Sequence, residues 1–318
     1  IEPGNGKYAI LCNDKGGILN DPVLLRIAED EFWFSLSDSD LMLWLQGVNI
    51  SKKFDVTIDE IDVCPVQIQG PLSEDLMAKL AGEAVREIPF YGLMETKIEG
   101  VDTVISQTGF TGEKGYEIYV RDAHENAEIV WNAVLEAGEE FGLMVIAPAH
   151  HRRIAAGILS WGQDMDFETS PFQVNLSYQV PRNKEADYIG KEELERQRAV
   201  IDGGDFPFKM KMVGLIFGGK EITDYAPDFW LIADTDGNDV GYITSPWWSP
   251  ELDTNIALGW VPWTSSEIGT KLQVRLPDEY SESPGVPVEG EIVDVPFRES
   301  VNPNKREVQK AKGLDYAD

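Results

Sequence analysis

The chain has 318 residues, and 56 acidic against 27 basic side chains give it a formal net charge of −29. Nucleic-acid binding needs a basic surface that neutralises phosphates, so this charge excludes a nucleic-acid partner. It also favours cationic over anionic ligands, although solubility or adaptation to salt explains it equally well. No apolar run approaches the roughly 20 residues that span a bilayer, so we expect no membrane association.

Cysteine, histidine and glycine patterns exclude several chemistries. The two cysteines, Cys12 and Cys64, lie in apolar strand-like segments and indicate reduced core thiols, which predicts a cytoplasmic protein. The three histidines show no metal-binding spacing, so we expect no metal. No phosphate-binding loop, GxSxG or CxxC motif is present, which leaves nucleotide binding, nucleophilic hydrolysis and thiol redox chemistry unsupported.

The segment 1–62 predicts part of an α+β unit. Strands are expected at residues 8–12, 22–27 and 31–37, and a helix over 38–48 that Ser37 or Asp38 caps. The apolar faces of the first strands, which include Tyr8 and Val23, need partners. We therefore expect a partner chain, an oligomeric mate or a further N-terminal portion to cover them.

The segment 63–200 predicts a central α+β domain. Elements expected in its first part are a strand at 66–69, a helix at 72–80 and strands at 102–107 and 116–120, which flank a glycine-rich loop. The spacing of five residues then predicts an amphipathic helix over 123–141 with these residues on its core face, namely Ala127, Val130, Trp131, Val134 and Leu135.

The end of this domain contains a predicted helix followed by a segment without regular periodicity. A helix over 149–159 carries Arg152 and Arg153, which we expect to form structural ion pairs. The polar and aromatic segment 161–172 is typical of a loop that lines a cavity.

The segment 205–318 predicts a third domain. Short alternating strands are separated by glycine, proline and aspartate turns, at residues 210–217, 229–237, 239–245, 254–261, 270–276 and 288–295. This pattern predicts a small antiparallel β-barrel. The fold class expected for the whole chain is therefore multidomain α+β with a C-terminal barrel.

Side chains of the predicted strand 116–120 alternate between two faces. Tyr116, Ile118 and Val120 form an apolar face that predicts core, whereas Glu117 and Tyr119 place a carboxylate beside a phenol. A buried carboxylate costs several kcal/mol unless donors meet it, and a flat ligand with two parallel N–H groups would supply them. The alternative is a glutamate on the solvated face of a hairpin.

Six segments, in order, resemble the glycine-cleavage T-protein (aminomethyltransferase) family. The hairpin sequence TGFTGEKGYEI is similar to the folate-binding hairpin of that family, and the other matching segments are GGILNDPVLLRI (16–27), VQIQGP (66–71), RRIAAGILSWGQDMD (152–166), DYIGKEEL (187–194) and SPELDTNIALGWV (249–261). The resemblance implies a T-protein-like folate-binding fold, with residues 1–62 as the remnant of an N-terminal region that lacks about a hundred residues.

The resemblance also implies tetrahydrofolate as the cosubstrate and assigns residues to its site. Glu117 matches the glutamate that holds the pterin ring, and Tyr119, Phe110 and Ser35 are expected to line the same site. Asp21 matches the family's acidic residue near the reacting carbon and is our candidate catalytic residue. Its alternative is a turn aspartate before a proline.

Two departures from the T-protein favour a different branch of the family. Ala149 stands where the T-protein has an arginine, and Gln173 stands where it has a glutamate. The segments DEFWFSLSDSDLMLW, YEIYV and WWSPELDTNIALGWV resemble tetrahydrofolate-dependent demethylases, such as those for dimethylsulfoniopropionate and aryl methyl ethers. The cysteine motif of the iron–sulfur-associated branch is absent.

This resemblance implies transfer of a methyl group from a small S-, O- or N-methylated donor to folate N5. The alternatives are the aminomethyltransferase of glycine cleavage and a non-catalytic folate-binding subunit or regulator. Candidates for an aromatic cage around a cationic donor are Trp161, Trp247 and Trp248, at about 0.5–2 kcal/mol per contact, and core packing is their alternative role. A sulfonium leaves as a neutral thioether, whereas an aryl ether needs a general acid.

Overall fold

The computed structural model describes residues 1–36, 40–147 and 150–297. The chain forms two compact units, of which the first contains residues 1–9 and 21–148 and the second residues 10–20 and 149–318. These units cut the chain differently from the expected segments 1–62, 63–200 and 205–318. The predicted caps Ser37 and Asp38, and Ala149, lie outside the described residues.

The secondary structure alternates strands and helices in the first unit and ends in a run of strands in the second. The strands are β1 (Asn5–Tyr8), β2 (Leu11–Cys12), β3 (Ile18–Asn20), β4 (Val23–Arg26), β5 (Phe32–Ser35), β6 (Val63–Gln69), β7 (Leu93–Ile98), β8 (Val101–Ser106), β9 (Gly115–Arg121), β10 (Met210–Phe217), β11 (Trp230–Ala233), β12 (Asp239–Ser249), β13 (Thr254–Pro262), β14 (Lys271–Val274) and β15 (Val288–Val293). The helices are α1 (Leu41–Lys52), α2 (Ser73–Ala81), α3 (Ala123–Gly138), α4 (His150–Ala155) and α5 (Lys191–Asp202).

The first unit contains two antiparallel sheets. One has the strand order β1-β4-β5, and the other has the order β6-β9-β8-β7. Helices α2 and α3 pack on the second sheet, where Tyr116, Ile118 and Val120 of β9 are fully buried in the core with residues of both helices. The predicted apolar face of this strand is therefore confirmed.

Helix α3 begins at the predicted residue, but one of its predicted core residues is wrong. Val130 and Val134 are buried, whereas Trp131 is 39% exposed. Val130, Val134 and Ala137 follow the i, i+4, i+7 spacing of one helix face, and the residue after Val130 lies roughly 100° around the helix from it.

The three-stranded sheet has one bridged edge and one edge strand. Strand β1 pairs with β4 and also meets residues 91–93, where Gly6 N donates to Tyr91 O at 2.6 Å. Strand β5 pairs with β4 alone among the described residues, and its Phe32 is 48% exposed. In α1, Leu41 is buried, but Ile50 is 79% exposed. Cover by a partner chain or an oligomeric mate stays a prediction.

The second unit is built on a closed barrel with the strand order β10-β13-β12-β11-β14-β15, which β15 closes by pairing with β10. All of its ladders are antiparallel, so the predicted C-terminal barrel is confirmed. Helix α4 packs on β12 and β13. The β2–β3 hairpin also belongs to this unit, since Ile18 N donates to Thr169 O at 2.8 Å.

The cysteines behave differently from each other. Both are free thiols, and Cys12 is buried, which raises the pKa of its thiol to about 12. Cys64 is exposed, so its prediction as a core thiol is wrong, because β6 is an edge strand of its sheet. Within the described ranges, no helix combines the length and apolar character that crossing a membrane requires.

Candidate functional site

Glu117 lies at the middle of β9, between two paired strands. Its partners in the ladders are Gln67 of β6 and Ser106 of β8. Residues paired across antiparallel strands share a face and have Cβ atoms roughly 5 Å apart. The sheet therefore places an amide, a carboxylate and a hydroxyl in a row on the face opposite the helices.

Three side chains donate hydrogen bonds to the Glu117 carboxylate. Thr108 Oγ1 and Tyr119 Oη both donate to Oε2, the latter at 3.0 Å, whereas Gln67 Nε2 donates to Oε1 at 3.2 Å. A carboxylate offers about four lone-pair sites, two on each oxygen. Oε2 is thus fully used within the protein, and Oε1 retains one acceptor site.

Hydroxyl groups behind this first contact orient the donors. Ser106 Oγ lies 2.8 Å from Thr108 Oγ1, and the Ser35 hydroxyl hydrogen-bonds the Tyr119 phenol. Thr108 and Tyr119 give their single protons to Glu117, so Ser106 and Ser35 must donate to them. Two hydrogen-bond chains, from Ser106 through Thr108 and from Ser35 through Tyr119, consequently both end at Oε2 of Glu117.

Tyr119 is buried beneath the three-stranded sheet. It is 3% exposed, and its ring meets Trp33 edge-on at a centroid distance of 6.2 Å. Burial first, and then the charge of Glu117, raise the pKa of the Tyr119 phenol well above its ordinary value of 10. Tyr119 therefore remains a hydrogen-bond donor throughout the physiological pH range.

Gln69 fixes the loop between β8 and β9. Its Nε2 donates to Thr108 O at 3.2 Å, and its Oε1 accepts from Thr111 Oγ1 at 2.7 Å. A Cβ added to Gly109 or Gly115 would lie 2.4 Å or 2.2 Å from the Gln69 amide. The two glycines are needed because the Gln69 side chain fills that space, and Phe110 between them is 39% exposed.

Strand register brings Asp21 to the same end of the three-stranded sheet as Ser35. Asp21 lies two residues before Val23, the first residue of β4, and Val23 pairs with both Tyr8 and Ser35. Tyr8 Oη donates to Asp21 Oδ2 at 2.8 Å. Five of the predicted site residues, namely Asp21, Ser35, Phe110, Glu117 and Tyr119, thus lie in the first unit.

The three tryptophans proposed for a cage belong to the second unit and have separate surroundings. Trp161 Nε1 donates to Ile18 O at 3.1 Å, and Trp247 stacks on His150 at a centroid distance of 5.9 Å. Trp247 and Trp248 are consecutive in β12, so their side chains point to opposite faces. The structure therefore does not bring these three rings together around one point.

Trp247 belongs instead to a small pocket. Its lining includes His150, Gln163 and Tyr225. Tyr225 meets the His150 ring edge-on at 4.6 Å and donates from Oη to Gln163 Oε1 at 3.2 Å. Burial and the nearby Arg153 lower the pKa of His150, which favours its neutral form. Gln163 is the residue of the segment 161–172 that lines this pocket, and a cavity lined by the whole segment stays a prediction.

Beside this pocket, Arg153 and Asp164 form a buried ion pair with an N–O distance of 2.7 Å. Asp164 also accepts from Ser160 N, Thr244 Oγ1 and Ser245 Oγ. The predicted structural ion pair of Arg153 is confirmed. Among the residues that the structure describes, no cluster of side chains could hold a metal ion.

Gln173 uses both ends of its amide. Oε1 accepts from Ser170 N at 3.0 Å, and Nε2 donates to Met210 O at 3.1 Å. A glutamate cannot make the second bond, since an ionised carboxylate only accepts. Glutamine at this position therefore ties the loop to the first strand of the barrel.

Sequence reasoning missed four residues of the Glu117 cluster, which are Gln67, Gln69, Ser106 and Thr108. The alternation in VQIQ already placed Gln67 and Gln69 on one face of a strand. What the sequence lacked was the pairing of this strand with β9, which the structure supplies.

Comparison with known families identifies both parts of the chain. Residues 1–184 match the GCVT N-terminal domain, and residues 211–297 match the glycine cleavage T-protein C-terminal barrel domain. The crystal structure of the glycine cleavage system aminomethyltransferase T from Bartonella henselae superimposes with a TM-score of 0.77. It covers 94% of this chain and 77% of that chain at 23% identity, which shows the shared fold.

The similar curated proteins include a demethylase and aminomethyltransferases. Dimethylsulfoniopropionate demethylase DmdA of Ruegeria pomeroyi is 36% identical over 281 residues, which cover 85% of this chain and 71% of the relative. An aminomethyltransferase of Thermotoga maritima is 33% identical over 307 residues, which cover 93% of this chain and 77% of the relative. With both domains matched in order, the chain belongs to the glycine cleavage T-protein family and is an enzyme that transfers one-carbon units.

Proposed function

We propose that this protein is a tetrahydrofolate-dependent methyltransferase that moves a methyl group from a small S-, O- or N-methylated donor to folate N5. The observation that carries the proposal is the Glu117 carboxylate, which donors hold in place while one acceptor site on Oε1 stays open. The identity to a demethylase over most of the chain supports methyl rather than aminomethyl transfer.

The residues present fit a pterin ring. Its 2-amino group and N3–H are adjacent donors on one edge, and the open site on Oε1 of Glu117 can accept the N3–H in a charge-assisted hydrogen bond. We assign Glu117, Tyr119, Ser35 and Phe110 to the pterin site. When bound, tetrahydrofolate supplies N5 as the nucleophile that receives the one-carbon group.

The protein's own contribution is chiefly orientation. Thr108 and Tyr119 restrict Glu117 to one rotamer before any ligand arrives, so little side-chain freedom is lost on binding. Holding the reacting groups in line converts a bimolecular step into an effectively unimolecular one. We propose that Asp21, fixed by Tyr8, orients or stabilises the methyl donor near the reacting carbon.

Methyl donors differ in whether their leaving group must be protonated. A sulfonium or quaternary ammonium donor that loses its methyl group leaves as a neutral molecule and needs no general acid, and the proton displaced from N5 would pass to solvent. This donor class agrees with the acidic chain and its preference for cations. An aryl ether would need a general acid. Trp161, Trp247 and Trp248 stay candidates for separate aromatic contacts with a cationic ligand, each considered by itself.

The second candidate function is aminomethyl transfer. It is favoured by the aminomethyltransferase relatives, among them one of Clostridium botulinum at 31% identity over 275 residues. Against it stands Gln173, whose amide is committed to a structural bond that the glutamate of the T-protein cannot make.

The experiment is a transfer assay with tetrahydrofolate and a panel of sulfonium, betaine and methoxy-aryl donors, beside an aminomethylated lipoyl carrier. Formation of 5-methyl-tetrahydrofolate with one methyl donor supports the proposal. Glu117→Ala should abolish the product, and Glu128→Ala, an exposed glutamate on α3, is the matched control. Product from the lipoyl carrier alone would establish the second candidate instead.

A further inference from the structure

Gln67 occupies a place in the site that the assigned pterin contacts do not explain. It lies directly opposite Glu117 in the β6–β9 ladder, on the same face, and its side chain is exposed. The exposed position makes the amide accessible to a ligand that binds at Glu117.

Glu117 fixes the orientation of this amide. Gln67 Nε2 lies 3.2 Å from Glu117 Oε1, and the carboxylate can only accept, so the nitrogen end must face it. An amide nitrogen carries two hydrogens, and only one of them is used here. Within the described residues, Glu117 is the recorded hydrogen-bond partner of the Gln67 side chain, which leaves the second N–H for a ligand.

The three polar atoms form an ordered array across the face of the sheet. Oε2 of Glu117 comes first and is occupied by Thr108 and Tyr119, Oε1 comes next with one open site, and Nε2 of Gln67 follows with one open N–H. The open sites of the array are therefore one acceptor, on Oε1, followed by one donor, on Nε2. Their complement is a flat ligand edge with a donor beside an acceptor.

A 4-oxo-pterin has that edge, because its N3–H and 4-carbonyl oxygen stand side by side. We propose that Gln67 is a specificity-determining contact, whose second N–H donates to the carbonyl oxygen beside the N3–H that Oε1 of Glu117 accepts. The inference rests on the proposed binding of tetrahydrofolate at Glu117. It extends that function by giving the site a means to select the 4-oxo form.

The test compares two ligands, tetrahydrofolate and its 4-amino-4-deoxy analogue, in which an amino group replaces the carbonyl oxygen and N3 carries no hydrogen. Dissociation constants would be measured by calorimetry for the wild-type protein, Gln67→Ala and the shape-matched Gln67→Met. Cys64→Ala is the control, since it is exposed on the same strand but alternates to the other face.

We expect both Gln67 variants to bind tetrahydrofolate about 3- to 10-fold more weakly, the value of one neutral hydrogen bond. Their affinity for the 4-amino analogue should stay within about twofold of wild type, so the preference for the 4-oxo ligand falls. Equal losses for both ligands would show that Gln67 only orients Glu117 and would overturn the inference. Unchanged affinities would also overturn it.

Failure of the proposed function gives a different result. If the wild-type protein binds neither ligand, the assignment of folate to Glu117 is wrong and the inference falls with it. If it binds tetrahydrofolate and the ligand preference ignores Gln67, the proposed function stands and only the role of Gln67 is lost.

Discussion

The carboxylates of Glu117 in the first unit and Asp164 in the second unit both accept hydrogen bonds from hydroxyl groups, but they differ in burial and in the number of donors. Asp164 has a fully buried side chain whose Oδ1 accepts from Thr244 and Ser245 and whose Oδ2 accepts from Arg153 and Ser160 N. Glu117 is only half-buried and accepts from three donors.

The difference lies in the acceptor capacity that remains. Four donors fill the four lone-pair sites of Asp164, so it can hold its surroundings together but cannot accept from a ligand. Glu117 has the same kind of support on one oxygen and an open site on the other. A carboxylate that the fold supports but does not saturate is suited to binding, and a saturated one to structure.

The largest expected effect is the loss of stability on removing the fully hydrogen-bonded carboxylate of Asp164. Asp164→Ala leaves the Arg153 guanidinium buried without its counter-charge, which should lower the free energy of unfolding by about 3–5 kcal/mol. Chemical denaturation measures this, with Asp228→Ala, an exposed aspartate of the same unit, as the control. A loss below about 1 kcal/mol would mean that solvent reaches the ion pair.

Removing the carboxylate of Glu117, which keeps an open acceptor site, should change the affinity for tetrahydrofolate more than the stability of the fold. Glu117→Ala removes the charge-assisted hydrogen bond that we propose Glu117 makes to the ligand, so tetrahydrofolate binding should weaken by about 1.5–3 kcal/mol. The free energy of unfolding should change by about 1 kcal/mol or less. Calorimetry and denaturation together test this contrast, and equal folate affinity for variant and parent would refute the assignment of Glu117.

Asp21 should affect turnover rather than folate affinity. Asp21→Asn keeps an oxygen that accepts from Tyr8 but removes the charge that we propose lies near the reacting carbon, so turnover should fall about tenfold or more. The folate dissociation constant should stay within about twofold of wild type. Unchanged turnover would reduce Asp21 to a turn residue before Pro22.

The smallest expected effect concerns the support for Glu117 Oε2. Tyr119→Phe removes one donor and should weaken tetrahydrofolate binding about 3- to 10-fold. Because the pKa of Tyr119 is raised in the folded protein, its phenol stays protonated while an unfolded tyrosine ionises near pH 10. Its contribution to stability is thus fully present below about pH 10 and is lost above it.

This pH dependence gives the Tyr119 prediction a second measurement. Between pH 7 and about pH 9.5, the ratio of wild-type to Tyr119→Phe folate affinity should stay constant. Above about pH 10, the free energy of unfolding should decline less steeply for the variant than for the wild-type protein. A ratio that falls already near pH 8 would show that the phenol ionises in the folded state.

Local patterns in the sequence predicted much of this site. Strict alternation in β9 separated Tyr116, Ile118 and Val120 from Glu117 and Tyr119, and the barrel strands followed from alternation between turns. The donors to Glu117 could not be predicted in the same way. Gln67 and Thr108 approach Glu117 only through strand pairing and a loop that Gln69 fixes, which are contacts between residues distant in sequence.

The tryptophan cage shows the converse limit. Residue type alone made the three tryptophans equal candidates for one cage, but their positions on strands and loops give each ring different neighbours. Trp247 and Trp248 share a strand and point to opposite faces, and Trp161 is committed to Ile18 O.

The β2–β3 hairpin has a consequence for the order in which the protein can fold during synthesis. Asn13 Nδ2 donates to Phe167 O, a partner 154 residues further along the chain. At roughly 5–20 residues per second, the ribosome delivers that partner about 8–30 s after the hairpin. Through this interval β1 and β4, which flank residues 10–20, can pair, whereas the residues that the hairpin contacts have not yet been synthesised. Strand pairing in the first unit can therefore precede the packing of the β2–β3 hairpin in the second unit.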